Sequence, residues 1–186
     1  SGSVVIFNGG ENSTAVFSGF TIQNGSGYEN DEYGGGIYCK DSSPTLESMI
    51  ISNNSADTYG GGIFCHNASP SLVDVSILNN SVGYHGGGIS LMSSNPILNN
   101  VAISNNSATR NGGGIYWGSN SNPSLENVII ANNSANDYGG GIIFWSASSP
   151  ILENVTIFNN LASDGGGGIY CDNSSPILVN CILWND

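Results

Sequence analysis

The tetrapeptide Gly-Gly-Gly-Ile begins at Gly34, Gly60, Gly86, Gly112, Gly139 and Gly166, so the chain repeats itself every 26 or 27 residues. A period of that size belongs to solenoids, in which each unit is one small element that cannot bury its apolar face alone. A proline follows each tetrapeptide, at Pro44, Pro70, Pro96, Pro123, Pro150 and Pro176. The two longer units carry their extra residue just before this proline, where a coil absorbs it without loss of register.

Three short runs in each unit have strand character; in the second unit they are residues 62–65, 71–73 and 75–79. Alternation within the runs assigns inward positions. The first run gives two columns: Ile37, Ile63, Ile89, Ile115, Ile142, Ile169, and then Cys39, Cys65, Leu91, Trp117, Phe144, Cys171. The second run gives Leu46, Leu72, Leu98, Leu125, Leu152, Leu178. The third gives Met49, Val75, Val101, Val128, Val155, Cys181, and then Ile51, Ile77, Ile103, Ile130, Ile157, Leu183. Helical hairpin repeats are excluded, because the apolar period is two and three glycines per unit would each cost a helix about 1 kcal/mol. The reading is an all-β solenoid of about seven rungs with three parallel sheets around one continuous core. The glycines suit a sharp entry to the first strand, through positive φ or close backbone approach.

Residues 1–33 read as a degenerate N-terminal rung that ends in an acidic loop over 25–33, and residues 34–186 as six repeats of the same single domain. An asparagine closes the third strand of every rung: Asn24, Asn53, Asn79, Asn105, Asn132, Asn159 and Asn185. Alternation places these side chains inward, where stacked amides would bond along the axis as a structural ladder.

The stretch Gly-Gly-Gly-Ile-Tyr-Cys…Ser-Ser-Pro-Thr-Leu…Ile-Ser-Asn-Asn-Ser-Ala over 34–56 resembles the right-handed parallel β-helix repeats of large secreted bacterial surface proteins. It is also similar to the repeats of chlamydial polymorphic outer-membrane proteins, with glycine in place of their alanine. The resemblance covers residues 13–186 and implies the fold. It says little about function, since the same scaffold carries adhesins, pectate lyases, polygalacturonases and phage tailspikes.

Charge narrows the classes. Fourteen acidic residues against Lys40 and Arg110 give a net charge of −12, which repels nucleic acid. Nor is there an apolar run long enough for a transmembrane helix. The lyases of this fold, to which the resemblance points, pair a catalytic Lys or Arg with calcium-binding carboxylates. Here Lys40 and Arg110 fall at opposite ends of the first sheet. His66 and His85 make no metal-ligand spacing.

The catalytic candidates are carboxylate pairs on adjacent rungs, Glu126 with Glu153 and Asp137 with Asp164, whose backbones would lie about 5 Å apart. Asp137 and Asp164 are also the metal candidates, with calcium as the ion. An outward column on the first sheet, Tyr38, Phe64, Ser90, Tyr116, Ile143, Tyr170, displays aromatic rings at rung spacing. Tyr38, Phe64, Tyr116 and Tyr170 are therefore the ligand-binding candidates, able to stack on sugar rings. Tyr33, Tyr59, Tyr84 and Tyr138 border the same face from the entering loop. The exposed third-strand column lacks the ranks of Thr that an ice-binding face needs. Asn-x-Ser/Thr sequons are numerous but follow from composition, and many use the asparagines assigned to the ladder.

Cys39 and Cys65 share an inward column and read as buried free thiols. The expectation is a non-catalytic extracellular or cell-surface module of stalk or adhesin type, meeting a polysaccharide or protein surface. The competing expectation is a polysaccharide hydrolase. With no amphipathic cap before residue 4 or after residue 183, the chain also reads as an interior piece of a longer β-helix or a protomer that associates end to end.

Overall fold

The computed structural model describes residues 2–28, 33–118, 121–146 and 148–186. The acidic residues 29–32 lie outside the described residues. The first sheet stacks strands Val5–Phe7, Ile37–Lys40, Ile63–His66, Ile89–Met92, Ile115–Trp117, Ile142–Trp145 and Ile169–Asp172, each parallel to the next. A second sheet of seven strands runs from Val16–Ser18 to Ile177–Val179, and a third from Thr21–Gln23 to Ile182–Trp184. Residues before Gly34 thus complete a turn of their own: Val5–Phe7 pairs Ile37–Cys39, Val16–Ser18 pairs Thr45–Glu47, and Thr21–Gln23 pairs Ile50–Ser52.

Every inward column holds its register from turn to turn. Ile63 pairs Ile89 and Ile37, Leu98 pairs Leu72 and Leu125, and Ile103 pairs Ile77 and Ile130. These columns form one core running along the axis, with Trp117 stacked on Phe144 at 4.6 Å as its largest pair. Cys39 and Cys65 face each other within it as free thiols. A hydrogen bond to Cys65, together with burial, pushes the Cys39 thiol well above its ordinary range.

The sequence reading has three sheets; the structure adds a fourth. Two-residue strands Ser55–Ala56, Ser81–Val82, Ser107–Ala108, Ser134–Ala135 and Leu161–Ala162 stack between the third strand and the glycines. Two residues are too few to produce an alternation, so this sheet leaves no periodic signal.

The corners explain the polar residues. At each bend one residue takes the left-handed conformation, which Asn, Asp, Ser and Gly tolerate best. Asn53, Asn79, Asn105, Asn132 and Asn159 occupy this position after the third sheet, with φ between 55° and 56°. Ser48, Asp74, Asn100, Asn127, Asn154 and Asn180 occupy it after the second.

That conformation corrects the asparagine ladder. Asn24, Asn53, Asn79, Asn105, Asn132, Asn159 and Asn185 are all exposed. The left-handed residue turns the chain and resets the alternation, so the following residue points inward instead. Asn54, Asn80, Asn106, Asn133 and Asn160 are at most 2% exposed and make the ladder. Asn80 shows the pattern: its Nδ2 donates to Asn106 Oδ1 at 3.0 Å and to the Ile51 carbonyl at 2.9 Å. Its backbone N–H donates to the same Asn106 Oδ1 at 2.9 Å. Each buried amide is thereby satisfied along the axis. Asp186 closes the described ladder as acceptor for Asn160 Nδ2 at 3.0 Å.

The glycines belong to the same corner. Gly86 has φ 75°, and a Cβ on Gly88 would sit 2.6 Å from the Gly114 carbonyl and 3.1 Å from Asn106 Nδ2. Positive φ and close approach are both at work, at different glycines of one triplet.

Candidate functional site

The outward side of the first sheet is not bare. Tyr38 is 3% exposed, Phe64 4% and Tyr116 9%, whereas Tyr170 is half-buried. The column expected to display its rings is covered by a second layer of rings from the loop that enters the sheet. Tyr28 lies 4.9 Å from Tyr38, Tyr33 stacks on Phe64 at 5.0 Å, His85 stacks on Tyr116 at 4.5 Å, and Tyr138 lies 4.5 Å from Tyr170. Apolar area buried this way stabilises the face as a second core.

Ser90 is the small member of the column, in register between Phe64 and Tyr116. The Tyr59 ring bridges that gap, 5.9 Å from Phe64 and 6.3 Å from Tyr116. Burial raises the Tyr59 hydroxyl above its usual range and pushes Tyr116 up to about 12, so both stay protonated donors at neutral pH.

The two layers leave a cleft of about 190 Å³ lined by Tyr33, Tyr38, Lys40, Tyr59, Phe64, His66 and Met92. Phe64 and Tyr38 form its buried floor. The entry-loop residues Tyr33 and Tyr59 form its walls, and Lys40, His66 and Met92 form a row along one rim, paired strand to strand. Two of the four expected ligand-binding residues, Tyr38 and Phe64, come together here. Tyr116 and Tyr170 lie further along the axis. Sequence reasoning placed Tyr33 and Tyr59 at the border but missed Lys40, His66 and Met92 as rim residues. Their shared position, at the end of the first run in three consecutive repeats, was the available signal.

His85 lies deeper, wedged against Tyr84 at 4.2 Å, with its Nδ1 accepting the Asn111 N–H at 3.3 Å. Burial, reinforced by nearby Arg110, lowers its pKa to about 4. The imidazole is neutral and acts as one more ring of the stack. The Arg110 guanidinium sits 4.8 Å over the Tyr84 ring, a cation–π contact remote from Lys40 along the face.

The carboxylate pairs lie elsewhere. Glu126 and Glu153 are register partners on the second sheet, both exposed, and Asn99 Nδ2 donates to Glu126 Oε2 at 3.2 Å. Asp137 and Asp164 neighbour each other in the entry loop, where the Asp164 N–H donates to the Asp137 carbonyl at 2.9 Å. Among the described residues no group of three or more His, Cys, Asp or Glu converges as metal ligands do.

Two further surfaces are shaped but chemically plain. An open groove of about 410 Å³ follows the fourth sheet, lined by Ser55, Ser81, Ser107 and Ser134 among others. At the last turn Ile182, Leu183 and Trp184 are 60%, 48% and 68% exposed. The sequon asparagines Asn53, Asn79, Asn105 and Asn132 face solvent, the reverse of the inward placement assigned to them.

Among the described residues no helix is long and apolar enough to cross a membrane. Compared with known families, the chain matches the model described as a right handed beta helix region over residues 2–129 and again over residues 99–186. Comparison with curated proteins and with solved structures finds no match.

Proposed function

From the premise that the chain belongs to the right-handed β-helix family, we propose that it is a non-catalytic extracellular module of stalk or adhesin type that binds carbohydrate at the aromatic cleft. The carrying observation is the cleft itself: Tyr33 and Tyr59 present half-buried rings beside polar groups in a concave site. Rings held against the buried column beneath them stack on a sugar face with little loss of side-chain freedom. The solenoid supplies the rest, a stiff scaffold that holds this face at a fixed place along its length.

The competing reading is a polysaccharide hydrolase using Glu126 and Glu153. Their register pairing favours it, because adjacent rungs place the two residues side by side with backbones roughly 4.8 Å apart. Both nevertheless stand exposed on a sheet face, without the apolar enclosure that a carboxyl general acid requires. Incubation with pectin, alginate, xylan and chitin tests the two readings together. Binding without new reducing ends supports the module. Release of reducing ends that Glu126→Gln or Glu153→Gln abolishes supports the hydrolase. End-to-end association through the apolar last turn is a separate proposal. It predicts concentration-dependent sedimentation that Leu183→Lys removes.

A further inference from the structure

We infer that His85 is an acid-released latch on the ring layer over the first sheet, and that acidification opens the wall of the aromatic cleft through it; the second half rests on the reading of the cleft as a glycan site. Tyr59, His85 and Asn111 stand one above another on consecutive turns, joined as parallel bridges. His85 brackets the cleft wall: its N–H donates to the Thr58 carbonyl at 3.0 Å, and its own carbonyl accepts the Gly60 N–H at 3.1 Å. Tyr59 lies between those two contacts, and its ring lines the cleft.

The hold towards the next turn runs through the side chain. His85 Nδ1 accepts the Asn111 N–H at 3.3 Å, and one turn on Asn111 Oδ1 accepts the Tyr138 N–H at 3.1 Å. An amide oxygen keeps its lone pairs in acid. A protonated imidazole has two donors and no acceptor, so Nδ1–H would confront the Asn111 N–H across the same gap. The ring is packed on three sides, stacked on Tyr116 at 4.5 Å, against Tyr84 at 4.2 Å and 5.6 Å from Tyr59.

Among the described residues, the titratable and charged groups that face it are Tyr59, Tyr84, Tyr116, Arg110 and Asp137. Burial and then Arg110 oppose the proton, Asp137 favours it, and the folded chain holds the imidazole at about 4. Released into water, the same group returns to its ordinary 6.5. The released form therefore takes up the proton first. Between 6.5 and about 4, each unit fall in pH favours release about tenfold, and above 6.5 the latch is neutral and held.

Two-dimensional NMR from pH 7 to pH 4 reads the latch without any ligand, in the wild type and in His85→Asn. That variant repeats the acceptor that Asn111 provides one turn on, and it does not titrate. In the wild type the Asn111 amide signal should titrate. Protection of the Gly60 amide from exchange, corrected for the intrinsic rate, should fall about tenfold from pH 6.5 to 4.5. His85→Asn should show neither change, and His85→Phe, which keeps a ring and drops the acceptor, should lack the fall in protection; circular dichroism should show all three folded. Calorimetry with xylan and chitin oligosaccharides, whose charge is the same at both pH values, reads the cleft. Affinity should fall about tenfold in the wild type and less than about twofold in His85→Asn. An Asn111 amide that does not titrate, or Gly60 protection lost equally in the wild type and His85→Asn, would overturn the latch. An affinity loss that survives His85→Asn and disappears in His66→Gln would place the sensitivity on the cleft's own histidine and overturn the coupling. Binding of no oligosaccharide at either pH would overturn the glycan site and the coupling with it, while the amide signals decide the latch.

Discussion

The asparagine corner and the aromatic face are both stacks with one position per turn, yet they tolerate very different amounts of variation. From Asn54 to Asn160 every corner position is asparagine, because each amide donates to one neighbour and accepts from the other. A single side chain that cannot do both breaks two links at once. The aromatic column, by contrast, accepts Tyr38, Phe64, Ser90, Tyr116, Ile143 and Tyr170, since a covering ring such as Tyr59 makes up for a small residue beneath it. Uniformity within the chain marks the scaffold. Variation from turn to turn marks the surface where contacts can be particular, and the cleft sits there.

The comparison breaks first at the corner. Asn106→Ala removes the oxygen that accepts from both the Asn80 amide and the Asn80 backbone N–H, along with the amide donor to the Ile77 carbonyl, and should cost about 3 kcal/mol in denaturant unfolding. A loss near zero would mean that the ladder is incidental. On the face, Tyr59→Ala should weaken glycan binding about tenfold while costing less in stability than the corner change. Glu126→Gln should leave binding untouched. If the two variants affected binding equally, the face would have no claim to be the site.

His85 supplies a pH-dependent difference. In the unfolded chain it titrates near its ordinary 6.5, and in the folded protein burial holds it at about 4. Between those values the unfolded state binds the additional proton, so folding stability falls as pH drops from 6.5 towards 4. The His85→Phe variant should have a flatter pH profile of melting temperature over that window. An unchanged profile would show that the imbedded imbalance lies in other groups.

Smaller effects concern charge and the exposed asparagines. With a net charge of −12, melting temperature should rise modestly with NaCl. If Asp137 and Asp164 hold calcium, millimolar calcium should raise it further, and Asp164→Asn should remove that increment. The least effect is expected of Asn105→Gly, within about 0.5 kcal/mol of wild type, because the residue is exposed and left-handed. It is the sharpest partner for Asn106→Ala, one residue away.

That adjacent pair also shows what the sequence makes legible. The five apolar columns, the parallel register and the glycine entry could all be read from period-two alternation and a fixed repeat length. The ladder lies one position later than alternation puts it, because the left-handed residue at Asn53 and its counterparts interrupts the alternation. The Asn-Asn doublets 53–54, 79–80, 105–106, 132–133 and 159–160 contain both roles, and only backbone conformation separates them. The aromatic column reads as outward-facing, but its cover comes from rings just before each glycine triplet, Tyr33, Tyr59, His85 and Tyr138, whose fold over the sheet leaves no alternation to read. Burial of Tyr38 and Phe64, and the cleft beyond them, therefore follow from tertiary packing. The acidic pairs illustrate the converse: Glu126 and Glu153 were paired correctly by register, and register says nothing about enclosure.

The chain's two methionines allow the central claim to be tested inside one molecule. Met92 lines the cleft, and Met49 is 1% exposed in the core. Methyl-labelled methionine can be followed by NMR while fragments of pectin, alginate, xylan and chitin are titrated in. If the first-sheet face binds glycan, at least one fragment shifts the Met92 methyl saturably, leaves Met49 in place, and loses its effect in Tyr59→Ala. A Met92 signal unmoved by every fragment at saturating concentration, or one that moves equally in Tyr59→Ala, would contradict the account.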